Sequence, residues 1–467
     1  MEGQANILVP IALIGWVPLT WVLFLLLPAR RAVVVSFLAG WMFLPVIAYK
    51  IPLVPDFDKT IIIGLAVLLS ILLFDTGRLL RFRPRWHDIP IIVLCLCPIA
   101  SSITNDLGAR DGLRESLHEL LFWGVPYFVG RLYFTEPDAL RELAVGLFIA
   151  GLVYALLCLY EIRMSPQLHY IVYGFHQHSF FQHIRYNGWR PMVFMQHGLM
   201  VGLFMSAATL CGIWLRRAGS LRDLFGFPLL LFVVPLAVTT ILVKSVGAIV
   251  LLFAGAAVLY AVTLLRSYVP FVLLAAVPVV YVLVRVTGVI PSADLIDAAG
   301  ATLGGERAQS LESRLVNEDM MTGRALERPF FGWGGWGRVR IHDESGQDVT
   351  ITDSLWIITL GNKGLVGLVA LMAVVLLPAL VLTARLPVGL WVDPRAGAVA
   401  ALAVVLVLWM IDSVLNAMID PVFLLVAGGL GGLGRVRAGQ DAAAEYHENP
   451  GVARYALPDA SAAMPKG

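Results

Sequence analysis

Apolar residues along this chain gather in runs of helix length, separated by short polar turns. A helix rising 1.5 Å per residue needs about 20 such residues to cross a bilayer. Candidate runs extend from Ile7 to Leu27, Ala32 to Tyr49, Thr60 to Phe74, Ile89 to Ile103, Ser116 to Phe134 and Leu143 to Tyr160. Further runs extend from Met192 to Leu215, Pro228 to Val243, Ala248 to Leu265 and Pro270 to Val286, then from Leu365 to Leu382, Ala398 to Ile411 and Pro421 to Leu433. Those after Thr60, Ile89 and Pro421 are short enough for half-buried or broken helices. Two polar stretches interrupt the pattern, one from Arg163 to Pro191 and a longer one from Gly288 to Asp353.

The expected fold is therefore all-α: a polytopic membrane protein of about 12–13 spans with one large segment on the outer side. Residues 1–287 form the first block of spans, with an outward loop near 163–191. Residues 288–353 form the large segment, 354–437 the last spans, and 438–467 a polar tail read as a disordered cytoplasmic end. Arginine placement gives the orientation. Arg30, Arg31, Arg78, Arg81, Arg83, Arg85, Arg141, Arg216, Arg217 and Arg222 share one set of alternate loops, as do Arg266, Arg385, Arg395, Arg435 and Arg437. That set is expected in the cytoplasm, although Lys50, Lys59, Arg110 and Arg114 fall on the other side. The first residues lack a basic n-region, so the first run is expected to be a permanent span.

Composition agrees. Hydrophobic residues are 59% of the 467 and charged residues 14%, well below the roughly 25% of soluble domains. A net charge of +2 carries no sign of nucleic acid as a partner. Cys95, Cys97, Cys158 and Cys211 all lie inside apolar runs, which argues against a disulfide framework or a zinc site.

The polar stretches carry the candidate chemistry. Arg185 and Arg190 stand beside Tyr186 and Trp189 at the edge of a span. They suit either interfacial anchoring or anion binding, since guanidinium pairs bidentately with phosphate oxygens. His197 is expected about one and a half turns inside the next span, where a polar group tends to face a cavity or a neighbouring helix. His176 and His178 lack the spacing and companions of a metal site. Ser310 to Arg328 reads as an amphipathic helix ended by Pro329. On it Arg314 has a bland partner in Glu318, four residues on. Trp333 and Trp336, in Phe330-Phe331-Gly332-Trp333-Gly334-Gly335-Trp336-Gly337, suit the membrane interface or the faces of sugars. Asp353-Ser354 opens a helix, where a cap is expected.

Taken in order, these blocks resemble the O-antigen ligase and O-antigen polymerase superfamily of bacterial envelope glycosyltransferases, and within it the polysaccharide polymerases. The similar residues are Arg314, Pro329-Phe330-Phe331-Gly332-Trp333-Gly334, Thr352-Asp353-Ser354 and Gly364-Leu365-Val366-Gly367. Trp189-Arg190-Pro191 through His197-Gly198 resembles an earlier block. Val243-Lys244-Ser245-Val246-Gly247-Ala248 resembles a Thr-x-Ser-Arg-Gly-Ala element, with Val in place of its Thr and Arg. The resemblance covers roughly Met164 to Gly367. Its main departure is at the family's histidine, whose place falls to Thr352 or Asp353.

The resemblance implies a GT-C-like membrane enzyme of the bacterial inner membrane with its active face in the periplasm. The donor would be a polyprenyl-pyrophosphate-linked oligosaccharide and the acceptor a glycan hydroxyl. The reaction would be inverting, with no metal and no cofactor, and there is room for a chain-length regulator as partner. Arg190, Arg314 and Arg185 would bind the pyrophosphate, and Trp333 and Trp336 the sugars. Asp353 would serve as base, with His197 in reserve and His342 a weaker candidate. Alternatives are a ligase acting on another acceptor, a lipid-linked glycan flippase for which Asp412 and Asp420 would matter, or a membrane scaffold.

Overall fold

A computed structural model describes residues 4–50, 55–294, 296–297, 305–335, 337–350 and 353–436, with backbone alone at 181–182 and 305–311. The expected tail, Trp336 and Thr352 lie outside the described residues. The chain is a bundle of helices. The first half holds α1 (Leu8–Leu26), α2 (Ala29–Phe43), α3 (Lys59–Phe74), α4 (Ile89–Thr104), α5 (Ala109–Glu119), α6 (Val125–Tyr133) and α7 (Pro137–Met164). The second holds α8 (Gly198–Arg217), α9 (Leu230–Leu242), α10 (Val246–Leu265), α11 (Val269–Thr287), α12 (Gly305–Leu326), α13 (Leu355–Arg385), α14 (Gly397–Leu415) and α15 (Pro421–Gly432). Strand is confined, among the described residues, to three two-stranded hairpins and one isolated bridge.

Among the described residues eight helices are long and apolar enough to cross a membrane: α1, α4 with its preceding turn, α7, α8, α10, α11, α13 and α14. α3, α9 and α15 are apolar but shorter. This is a multi-pass membrane protein. The run expected from Ser116 to Phe134 is not one straight helix: it passes through a π-helical turn at Leu120–Gly124, and Pro126 then opens α6. A π turn widens the helix locally and shifts its face.

α8 and α14 are buried almost all round and form the centre. α1, α10 and α11 are buried along one face only and show apolar side chains outward. Between lipid-embedded helices, close backbone approach replaces the hydrophobic drive. α6 and α15 show it: a Cβ at Gly130 would strike the Leu425 carbonyl, and one at Gly428 the Tyr127 carbonyl.

The segment between α11 and α13 packs onto the bundle. Met321 and Ala325 of α12 are buried with Val282 of α11, Trp356, Ile357 and Leu360 of α13, and Val414 of α14. The stretch after α12 is pinned by its backbone. Trp333 N–H donates to Gly361 O at 2.8 Å, Gly334 N–H to Asn362 O at 3.0 Å, and Leu365 N–H to Pro329 O at 2.7 Å. These bonds meet α13 where it breaks at Gly364, with φ 63° and ψ −165°. The two glycine-bearing blocks of the sequence, Pro329–Gly334 and Gly364–Gly367, thus form one clamp.

Candidate active site

The first wall of the site begins as a tight hairpin. Ile184 pairs with Trp189 and Arg185 with Gly188. Tyr186 and Asn187 between them have φ 49° and 51°, the two positive values a type I′ turn requires. Lys244 Nζ donates to the Arg185 carbonyl at 3.1 Å, tying this hairpin to the α9–α10 junction. Arg190 N–H donates to His183 O at 2.8 Å.

Beyond Arg190 the chain does not become helical until Gly198. Here the structure departs from the expected span from Met192. Pro191 has no N–H, and Glu161 of α7 takes the next two: Met192 N–H and Val193 N–H each donate to Glu161 Oε2 at 2.8 Å. Phe194 N–H donates to the Tyr154 hydroxyl at 3.1 Å, and Lys59 Nζ donates to Phe194 O at 3.1 Å. Irregular backbone at this depth persists because protein groups satisfy it. His197 is consequently the N-cap of α8 and not a residue within it. Its Nδ1 accepts from Leu199 N–H at 3.1 Å.

Arg190 is buried, 5% exposed. Its Nη2 donates to Ser245 Oγ at 3.3 Å, and its Nε has no hydrogen-bond partner among the described residues. Gly198 makes room for it, since a Cβ there would lie 2.7 Å from Arg190 Cδ. Burial, together with the Arg185 charge, draws the Arg190 guanidinium down to about 10, still protonated at neutral pH. The same causes act on the imidazoles beside it. Burial and then the Arg190 charge push His197 down to about 3. Burial, then the neighbouring imidazoles, push His183 to about 4.

α12 and the start of α13 form the second wall. Arg314 is not paired with Glu318. Its Nε lies 3.8 Å from Asp353 Oδ2. Glu318, 2% exposed at the cavity's edge, is instead saturated by donors: Arg285 Nε at 3.0 Å, Tyr281 OH at 2.8 Å, Ser354 Oγ at 2.5 Å and Trp356 Nε1 at 3.2 Å. Arg285 also donates to Leu315 O at 2.9 Å and pairs with Asp319 at 2.9 Å. This knot fixes the top of α13 to α12. Ser354, not Asp353, holds the N-cap position of α13, so the Asp353 carboxylate, half exposed, points at Arg314 instead of capping.

The two walls enclose a cavity of about 560 Å³. Arg185, Arg190, His197, Arg314 and Asp353 all line it, with Asn416 and Met418 from the α14–α15 junction. Behind Asn416, and not itself lining the cavity, Asp412 is buried: its Oδ1 accepts from Asn416 Nδ2 at 3.1 Å, and its Oδ2 is unpartnered among the described residues. Five of the residues expected at the site therefore meet in one place. Trp333 does not join them. It lies under Arg324, whose guanidinium carbon sits 3.6 Å from the ring centre, and its Nε1 donates to Arg324 O at 2.8 Å. That contact holds the clamp and leaves the ring outside the cavity wall. Trp336 lies outside the described residues. His342 sits on an exposed loop bridged to Asp348, also away from the cavity.

Sequence reasoning missed Glu161 and Arg285, and weighed His178 only as a metal ligand. Glu161 and Arg285 lie in or against apolar runs where no motif marks them. His178 faces His197 with ring centres 5.2 Å apart and lines the cavity. Asp420 caps α15, accepting from Val422 N–H at 2.8 Å, and Asp58 caps α3, accepting from Ile61 N–H at 2.9 Å. Among the described residues no three His, Cys, Asp or Glu side chains converge as a metal site would require. The four cysteines are buried and unpaired. The chain matches no protein-family model and no curated protein.

Proposed function

We propose that the chain is an inverting, metal-independent glycosyltransferase that polymerises glycan repeats. It takes them from a polyprenyl-pyrophosphate carrier and joins them to a sugar hydroxyl at the periplasmic face of a bacterial inner membrane. On this reading the eight long helices and the shorter apolar ones together make about a dozen spans of GT-C-like type, and the segment before α13 is periplasmic. One observation carries the reading: Arg190, Arg314 and Asp353, from three separate stretches of sequence, line a single cavity.

The chemistry asks little beyond charge and orientation. The acceptor oxygen attacks the anomeric carbon, the bond from that carbon to the phosphate oxygen breaks, and its electron pair leaves with the pyrophosphate. Arg190 and Arg314 stabilise that developing charge, and a buried guanidinium does so more strongly than one in water. The Nε of Arg190 offers a donor that no group among the described residues claims. Asp353 receives the acceptor proton. At 3.8 Å its contact with Arg314 is an ion pair without a close hydrogen bond, so both groups keep capacity for substrate. Attack opposite the leaving group inverts the anomeric centre. His197 is the weaker base, because Nδ1 already accepts the cap bond and the proton of the neutral ring sits on Nε2.

The test is transfer by purified protein on a lipid-linked oligosaccharide, in buffer and in excess chelator. Polymer formed in both, and lost with Arg314→Ala, is the expected result. Absence of any transfer by correctly folded wild-type protein removes the reading. A chain made long but left on the carrier moves the assignment from polymerase to ligase.

A further inference from the structure

The opposite end of the bundle carries a second polar cavity. α3 and α8 run away from the candidate site, and α4, α6 and α15 meet the far end beside the turn at Asp75. There a cavity of about 600 Å³ is lined by Arg78, Arg81, Arg83, Arg85 and Arg131. Its acids are engaged. Asp75 pairs with Arg78 at 3.3 Å and accepts from the Tyr133 hydroxyl at 2.8 Å. Glu136 pairs with Arg30 at 3.4 Å. Arg131 is held by the buried Asp88, Nε to Oδ1 at 2.7 Å. Arg81, Arg83 and Arg85 are exposed and have no ion pair among the described residues.

Arginine at this end follows from topology alone and by itself says nothing. The second observation is apolar. A cavity of about 270 Å³ adjoins the first and shares Phe82 and Arg131 with it. Ile91, Ile92, Leu96 and Phe128 line it. Ile92 and Leu96 lie 49% and 54% exposed on α4, a membrane-crossing helix, so this groove opens to the lipid. A cationic chamber therefore shares a wall with a lipid-facing apolar slot. A soluble phosphate would use the first and ignore the second, and a neutral lipid the reverse.

We propose that this end binds an anionic phospholipid of the adjoining leaflet. Its phosphate lies among Arg81, Arg83 and Arg85, and one acyl chain follows Phe82, Ile92 and Leu96. Arginine suits the phosphate because its fork pairs bidentately with the oxygens, and basic pockets between spans are a recurring form of headgroup site. The site lies apart from the proposed glycosyl transfer and does not depend on it.

Native mass spectrometry of the full chain, in micelles supplied with phosphatidylglycerol or phosphatidylcholine, tests this. One phosphatidylglycerol per chain is expected to survive, with phosphatidylcholine lost and excess inorganic phosphate without effect. The Arg81→Gln/Arg83→Gln pair, both exposed and so expected to fold, should weaken retention roughly tenfold or more, at about fivefold per charge. Ile92→Trp, which fills the slot with the charges intact, should weaken it as well. Retention unchanged in either variant overturns the proposal, as does equal retention of phosphatidylcholine. Displacement by inorganic phosphate would make this a soluble-anion site and overturn it too. Gel filtration of each variant establishes that it is folded.

Discussion

Arg314 and Asp353 are the residues on which the proposed chemistry stands or falls. Arg314→Ala should reduce transfer at least ~100-fold, the loss typical when a donor aimed at developing charge is removed. Its expression and gel-filtration profile should stay unchanged, because Glu318 and not Arg314 ties α12 to α13. Asp353→Asn should lose far more than Asp353→Glu, since only the latter can still take a proton. A tolerated Asn would remove Asp353 as the base. His197 gives the complementary case. A cap acceptor survives in Asn, so His197→Asn should keep activity within about fivefold while His197→Ala loses more. Equal inactivation by both would reinstate the imidazole in proton transfer. The same group predicts a pH dependence. His183 and His197 are held near 4 and 3 when folded, and His169, by burial, near 4. Unfolded, each would take a proton below about 6.5. The unfolded state then binds more protons at these three rings, so their contribution to stability falls as pH drops below about 6.5 and is level above it. Melting curves from pH 8 to pH 5 on wild type and on His183→Asn should show a smaller loss on acidification in the variant, and an equal loss in both would refute it.

Among elements, the joint between α12 and α13 sets the geometry of the site. Glu318 is a buried carboxylate holding a buried guanidinium, a hydroxyl, a phenol and an indole. Its removal by Glu318→Ala would leave Arg285 only the half-exposed Asp319 as counter-charge and orphan the other donors, at a cost of up to about 3–5 kcal/mol. A large fall in melting temperature is expected, with Glu318→Gln milder. The clamp below should be as exacting: Gly364 has φ 63° and ψ −165°, close to a region that is essentially glycine's own, and a Cβ there would strike the Phe330 carbonyl. This joint shows what was readable in the sequence and what was not. Arg190 was visible because charge at the edge of an apolar run stands out, and Arg314 and Asp353 because the resemblance marks their blocks. The partner of Glu318 was hidden because Arg285 sits at the end of an apolar run, where spacing on one helix suggested Arg314 instead. The place of Trp333 was open for a similar reason: an aromatic among glycines suits many surfaces, and the packing of Arg324 on its face is a contact no spacing gives. The false helical start at Met192 came from hydrophobic residues held in turns because Glu161, 31 residues before Met192, claims the N–H groups of Met192 and Val193.

On the scale of the whole molecule, periodicity identifies which segments are helices, because apolar length alone decides that in a bilayer. It does not give sidedness, which rests on the arginine bias. The proposed reaction requires the Arg190–Arg314–Asp353 cavity to open outward, where a lipid-linked donor would be presented. The native cysteines are all buried, so the wild-type chain offers little background to a membrane-impermeant maleimide. Ser345 lies exposed in the loop before α13, and Asp223 exposed in the hairpin between α8 and α9. α8 runs the length of the bundle between the candidate site and that hairpin, so the two positions report opposite ends. Ser345→Cys should label in spheroplasts, and Asp223→Cys only after lysis. The reverse pattern would place the cavity in the cytoplasm, where nucleotide-linked donors abound, and would overturn the assignment to a polyprenyl-linked donor at the outer face even if Arg314 proved essential. With the expected pattern, the Arg190 guanidinium and the Arg314–Asp353 pair face the leaflet where such a carrier delivers its glycan. The far-end arginines then lie in the leaflet whose anionic lipids they are shaped to meet.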